Sequence, residues 1–162
     1  MADNENQGNG QDPAQQFAIQ KIYVKDLSFE SPNAPGVFTT EFKPQVSVDL
    51  NTNGQSIGEN IYEVVLSITV TVKQDDNTAY LVEVQQAGIF NIQGMPEDQL
   101  AGMLAVFCPS IIFPYAREAI SDVVTRGGFP QLLLAPVDFN AMYAQHLEQQ
   151  KNAQPAEAPV TH

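Results

Sequence analysis

The sequence predicts an α+β domain: a four-stranded antiparallel sheet, with C-terminal helices packed on one face of it. Four segments before Gly94 alternate apolar and polar residues with a period of two, which is typical of half-buried strands. No helical pattern separates these segments, so neighbouring strands are expected to pair antiparallel. After Gly94 the apolar spacing changes to that of helices. Strands first and helices last favour the α+β class.

The first predicted strand spans about 17–30, where Leu27 and Phe29 alternate with polar residues. A second strand is indicated from about residue 42, with an apolar side formed by Phe42, Val46, Val48 and Leu50. The stretch 51–60 is rich in Asn, Gly and Ser, and we expect it to be a linker.

The third and fourth strands have the clearest alternation. One side of the third strand carries Tyr62, Val64, Leu66, Ile68, Val70 and Val72. "QDDN" at 74–77 supplies residues that favour a hairpin turn. The fourth strand is expected to direct Tyr80, Val82, Val84, Phe90 and Ile92 inward, and Leu81, Glu83 and Gln85 outward. Together these strands predict a hairpin with one buried face.

A helix is predicted to begin at "MPEDQL" (95–100), where a proline and two acids suit a first turn. Its pattern continues to the glycine pair that follows Arg126. Pro109 and Pro114 each remove a backbone donor, so we expect a kink or a restart near Cys108. A shorter helix follows at about 139–150, with Asp138 as its N-cap.

The two ends of the chain lack the apolar residues needed for a packed structure. Residues 1–15 are acidic and amide-rich, and residues 151–162 have a similar character. We therefore expect flexible tails at 1–15 and 151–162 around a single folded domain at 16–150.

The charge balance excludes several partners. Nineteen acidic residues face seven basic ones, which gives a net charge of −12. Such a field repels nucleic acid and anionic lipid and attracts a basic protein. The most apolar run, 104–115, contains two prolines, and the N-terminus does not resemble a secretory signal, so we expect a cytoplasmic protein without direct membrane insertion.

Candidate catalytic residues are few. His146 and His162 lie far from Cys108 in the sequence, and Cys108 has no second cysteine with which to form a disulfide. Spacing typical of zinc ligands is absent, as are the glycine patterns of nucleotide-binding loops. The sequence indicates a protein that is not an enzyme and that needs no cofactor.

The unusual feature is apolar material in connecting segments. "RGGFPQLLLAP" (126–136) is punctuated by glycine and proline, yet it carries a phenylalanine and three leucines. "SPNAPGVFTTEFKP" (31–44) joins the first two strands and is similar. Three interpretations are open: both loops cover the core, both form a subunit interface, or both flank a groove for apolar segments of another chain.

Five blocks of sequence together resemble the SecB family of bacterial protein-export chaperones. They are "IYVKDLSFESPNAPGVF" (22–38), "YEVVLSITVTV" (62–72), "EVQQAGIF" (83–90), "CPSIIFPYARE" (108–118) and "RGGFPQLLLAPVDF" (126–139). The resemblance implies a homotetramer, a dimer of dimers without ATP or metal, that holds precursor proteins unfolded and delivers them to the SecA translocation ATPase. A structural or scaffold oligomer whose apolar loops form only subunit contacts is the alternative.

The resemblance also implies two sites. The SecA-binding surface falls on Asp26, Glu30, Leu81 and Glu83. The groove for unfolded client chains falls between the 31–44 and 127–138 loops, with walls formed by Phe38, Phe42, Phe129, Leu132, Leu134, Met142 and Tyr143. Which leucine faces the groove and which anchors the loop is not decided by the sequence.

Overall fold

A computed structural model describes residues 14–153 and confirms the α+β class. Its four strands are β1 (Gln16–Glu30), β2 (Pro44–Gly58), β3 (Ile61–Gln74) and β4 (Asn77–Gln93). They form one sheet in the order β1-β4-β3-β2, and every neighbouring pair is antiparallel. The predicted tails lie almost entirely outside the described residues.

The core lies between the helices and one face of β3 and β4. The residues predicted to point inward on β4 are all buried, and so are Val64, Leu66, Ile68, Val70 and Val72 of β3. Each large aliphatic side chain buried in this way stabilises the fold by about 1.5–3 kcal/mol. The opposite face of the sheet remains open and carries most of the polar residues.

The prediction of a linker at 51–60 is wrong. β2 continues to Gly58 and pairs with β3 nearly residue by residue, for example Asn51 with Ser67 and Gly54 with Val64. β2 is an edge strand, so its polar side chains reach water while its backbone still bonds to β3. The same position leaves Val46 and Val48 nearly half exposed. Phe42 precedes the strand instead of belonging to it.

The long helix α1 (Glu97–Arg126) does not stop at its prolines. Residues Met103–Phe107 form a π-helical segment, in which the Cys108 amide bonds to the Met103 carbonyl five residues back. Pro109, which has no amide hydrogen, follows where the helix returns to α geometry. The expected interruption near Cys108 is therefore a local widening of the helix.

The terminal helix α2 spans Phe139–Ala153 and so extends beyond the expected end near residue 150. Its predicted N-cap is confirmed: the Asp138 carboxylate accepts a hydrogen bond of 3.0 Å from the Ala141 amide.

α1 is long and apolar enough, by length and composition alone, to cross a membrane. Pro109 and Pro114 were expected to interrupt the apolar run 104–115, whereas the helix continues through both. α1 packs on the sheet: Ile112, Ala116, Ile120 and Val124 recur every four residues on one side and are fully buried.

Gly88 sits where α1 crosses the sheet. A methyl group added there would lie 2.7 Å from the Phe90 ring and 3.2 Å from Ile112. We expect Gly88→Ala to lower the free energy of unfolding by about 1–3 kcal/mol, because the helix has to move away from β4. Chemical denaturation measures the change. Gly102→Ala is the control, since open space surrounds Gly102, and an equal loss in both variants would contradict this account.

Candidate functional site

The four residues assigned to the SecA-binding surface lie together on the open face of the sheet. Glu30 pairs directly with Leu81, and Glu83 pairs with Ser28, which lies between Asp26 and Glu30 on β1. Neighbouring strands are about 4.8 Å apart, and alternate residues of one strand about 7 Å. The three carboxylates are exposed and share one small area. We call these four residues the acidic patch.

A polar network occupies the same face beside the acidic patch. Glu63 of β3 is only 8% exposed. Its carboxylate accepts hydrogen bonds from the Tyr23 hydroxyl, from Lys25 Nζ at 3.0 Å and from Gln55 Nε2 at 3.1 Å. Tyr23 and Glu63 belong to strands that are not neighbours, and the small Ala87 of the intervening β4 pairs with Tyr23. Lys25, the sequence neighbour of Asp26, therefore forms its ion pair with Glu63.

The network shifts the pKa of two of its members. The bond from Tyr23, helped by Lys25, lowers the pKa of Glu63 against the opposing effect of burial. The same bond, together with burial and the Glu63 charge, raises the pKa of Tyr23 to about 12. The folded state therefore favours an ionised Glu63 and a protonated Tyr23.

This shift predicts a stability difference that depends on pH. Because the Tyr23 pKa is raised from 10.0 to about 12, its contribution is fully present below pH 10 and is lost as pH rises toward 12. We expect the wild type to have a higher free energy of unfolding than Tyr23→Phe at pH 9. This difference should become smaller as pH rises from 10 to about 12. Urea denaturation at several pH values measures the difference, and a constant difference would contradict the assignment.

Five aromatic side chains meet at the end of α1. Phe129 is only 5% exposed, and its ring centroid lies 4.7 Å from that of Tyr80 and 5.0 Å from that of Phe38. The rings of Phe42 and Phe29 follow at 5.7 and 6.4 Å. We call this group the aromatic cluster. It joins the loop between β1 and β2 (31–43, the crossover loop) to the segment between the two helices (127–138, the interhelix segment).

The glycines before Phe129 make this contact possible. A methyl group on Gly127 would lie 2.2 Å from the Phe29 ring, so no side chain fits between the helix end and β1. Gly128 has φ +88°, a conformation that other residues rarely adopt, and the Phe38 ring lies against it. Gly127 and Gly128 thus end the helix and also leave space for the rings of Phe29 and Phe38.

The three leucines of the interhelix segment point to different sides. Leu132 and Leu134 pack against the core and are partly buried, whereas Leu133 is 67% exposed. The sequence-based assignment of the groove omitted Leu133. Alternation along an extended segment was the available signal, because residues 132 and 134 share one side and 133 faces the other.

Met142 and Tyr143 lie apart from the aromatic cluster, in an open cavity of about 490 Å³. Its lining includes Asn53 of β2, Leu104 of α1 and Phe139 of α2. The interhelix segment connects the two places, since it begins beside Phe129 and ends beside Phe139. The assigned groove residues therefore lie at two sites, the aromatic cluster and a cavity lined by both apolar and polar residues, which a leucine-containing segment joins.

The described residues offer little for covalent or metal chemistry. Among residues 14–153, no group of three His, Cys, Asp or Glu side chains is placed to hold a metal ion. Cys108 is fully buried, and burial raises the pKa of its thiol to about 12. The thiol is therefore protonated at neutral pH and is a poor nucleophile.

These features define a class of α+β proteins that combine an acidic sheet face with apolar connecting loops. Residues 10–150 match the family described as Preprotein translocase subunit SecB. The chain belongs to the SecB family. It is 54% identical over 147 residues to the Protein-export protein SecB of Methylococcus capsulatus, covering 90% of this chain and 95% of the relative. The corresponding protein of Nitrosococcus oceani is 57% identical over 144 residues and 88% of each chain.

A solved structure has the same fold. The Mycobacterium tuberculosis Rv1957 SecB-like chaperone, in complex with a ChAD peptide from the Rv1956 HigA1 antitoxin, aligns with a TM-score of 0.64 at 16% identity. The alignment covers 75% of this chain and 91% of that one. The sequence-based assignment to the family and to its fold is confirmed.

Proposed function

We propose that this chain is an ATP-independent export chaperone of the cytoplasm, which holds precursor proteins unfolded and delivers them to the SecA translocation ATPase. It acts by binding and performs no catalysis. Family membership supports the general role. The observation that carries the proposal is the exposure of large apolar side chains on connecting loops, Phe38 at 50% and Leu133 at 67%.

The arrangement of these side chains suits an unfolded client. Phe38 rests on the buried Phe129 ring, so its exposed half is presented on a rigid support. An unfolded chain exposes apolar groups without fixed geometry, and an apolar surface binds such groups without strict hydrogen-bonding requirements. The cavity beside Met142 offers a second place for a bulky side chain. The proposed client groove runs between these two sites.

We further propose that the subunit assembles as a homotetramer, a dimer of dimers. α1 leaves Phe107 46% and Tyr115 52% exposed, and β1 leaves Ile19 and Val24 nearly half exposed. Surface of this kind is normally covered by another subunit. Light scattering at micromolar concentration is expected to return the mass of four chains, and a monomeric mass would contradict the assembly.

The test of the function compares one polypeptide in two states. A small disulfide-bonded protein, unfolded by reduction and carbamidomethylation, is expected to bind saturably, and its native form is expected not to bind. Phe38→Ala combined with Leu133→Ala should weaken this binding by about tenfold or more, since burial of each exposed side chain by a client contributes up to about 1.5–3 kcal/mol. Ile57→Ala, an exposed apolar residue outside the groove, is the control.

The outcomes separate the proposal from its alternative. Equal binding of both states, or binding of neither, would favour a scaffold oligomer whose loops make only subunit contacts. Unchanged affinity of an intact double variant would place the client site elsewhere.

A further inference from the structure

The crossover loop is attached to the β3–β4 hairpin by polar side chains. The hydrogen bonds are Ser31 Oγ to the Ala79 carbonyl (3.0 Å), Asn33 Nδ2 to the Thr78 carbonyl (2.9 Å), and Gln74 Nε2 to both Thr40 Oγ1 (2.6 Å) and the Glu41 carbonyl (2.8 Å). The first two hold the start of the loop. Gln74 holds its other end.

Gln74 acts at the segment that carries the aromatic residues of the loop. Thr40 and Glu41 lie between Phe38 and Phe42, and both are exposed. Gln74 is only 7% exposed and is the last residue of β3, so its amide is fixed by the sheet. Through one amide group, the sheet therefore sets the position of the chain between the two phenylalanines.

The burial of Gln74 is costly for the fold itself. Its Oε1 is buried and finds no hydrogen-bond partner in the part of the chain that the structure describes. A buried amide oxygen without a partner destabilises a protein, whereas an apolar side chain of similar size would not. This cost offsets part of the stability that the two hydrogen bonds of Nε2 contribute, so the net contribution of the Gln74 amide to the stability of the fold is small. The two bonds donated by Nε2 account for a glutamine.

We infer that Gln74 is a positioning residue, which holds the Phe38–Phe42 segment as a preformed wall of the client groove. The inference rests on the proposed function. A wall that is already ordered loses less conformational entropy when a client binds, so its affinity is higher than that of a mobile loop. Gln74 contacts the loop backbone and acts on the client through it.

Gln74→Leu separates this role from a structural one. We expect the affinity for the reduced, carbamidomethylated polypeptide to fall about three- to tenfold, as the loss of such hydrogen bonds implies. The melting temperature is expected to change little, because removal of the unpartnered oxygen offsets the loss of the two hydrogen bonds. Gln45→Leu makes the same chemical change at an exposed position of the adjacent strand and is expected to leave affinity unchanged.

A fluorescent reporter shows whether the loop is released. The chain contains no tryptophan, so Phe38→Trp introduces a single one. In that background, Gln74→Leu is expected to lower the anisotropy of the tryptophan emission and to increase its quenching by acrylamide. Both changes report a more mobile loop, and Gln45→Leu should produce neither.

Gln74→Glu supplies a rescue that depends on pH. An ionised carboxylate only accepts hydrogen bonds, so it cannot bond to the Glu41 carbonyl. A protonated carboxyl group regains one O–H donor. Compared with the parent at each pH, the affinity deficit of Gln74→Glu is expected to shrink as pH falls from about 8 to about 5.5, while that of Gln74→Leu stays constant.

The outcomes distinguish this inference from the proposed function. If the wild-type protein does not bind the unfolded polypeptide, the proposed function fails and the inference fails with it. If the wild type binds and Gln74→Leu binds equally well, the inference alone is overturned. It is also overturned if the mobility of the introduced tryptophan does not change, or if the melting temperature and the affinity fall together without rescue in Gln74→Glu.

Discussion

Replacement of Phe129 by alanine is expected to lower the free energy of unfolding by about 3–5 kcal/mol. The ring is 5% exposed and packs against Tyr80 at 4.7 Å, Phe38 at 5.0 Å and Phe42 at 5.7 Å. Its removal leaves a cavity that these rings cannot fill without moving the crossover loop or β4. Chemical denaturation of the purified variant measures the loss.

Two control variants test this explanation. Phe38→Ala removes a ring of the same size that is half exposed, and we expect it to cost less than half as much. Phe129→Leu keeps most of the buried volume and should recover much of the stability. If Phe38→Ala were as damaging as Phe129→Ala, Phe129 would not be the centre of the cluster.

The sheet and its buried face could be predicted because the signal is local. In β3 and β4, apolar side chains alternate with polar ones over the length of each strand, and the burial of Val82 beside the exposed Glu83 follows directly. β2 could not be predicted beyond Leu50. It is an edge strand whose side chains are mostly exposed to solvent, so it tolerates the polar residues and glycines that are typical of loops. Residues 51–58 are extended because they pair with β3, and their composition alone does not indicate this.

The functional surfaces were predictable only in part. The acidic patch follows from alternation on β1 and β4 together with the resemblance to the SecB family. The contact between Tyr23 and Glu63 was missed, because the two residues are 40 positions apart on strands that are not neighbours. The burial of Phe129 was not decided by the sequence, which assigned this residue to a groove wall and left open whether its loop covers the core. The glycines before it allow the chain to bury its ring.

Charge reversal in the acidic patch is expected to abolish most of the SecA binding that we propose. Asp26→Lys combined with Glu83→Lys should weaken that binding by about 10- to 100-fold at low salt, since charge pairs across an interface commonly contribute a few kcal/mol when desolvated. Titration of SecA against the purified protein at several salt concentrations measures both the affinity and its salt dependence. The wild-type affinity should fall as salt rises.

The control for this experiment is Glu59→Lys combined with Glu148→Lys, which makes the same change in net charge at exposed positions outside the patch. If the control weakened SecA binding equally, the overall charge of −12 would be responsible and the patch would not be a specific site. Binding of the unfolded polypeptide provides the second comparison. Asp26 and Glu83 face away from the helices, whereas the aromatic cluster lies at the end of α1 on the other face. Their reversal should therefore leave client affinity within about twofold of the wild type, and a parallel loss of both activities would show that the two surfaces are not separate.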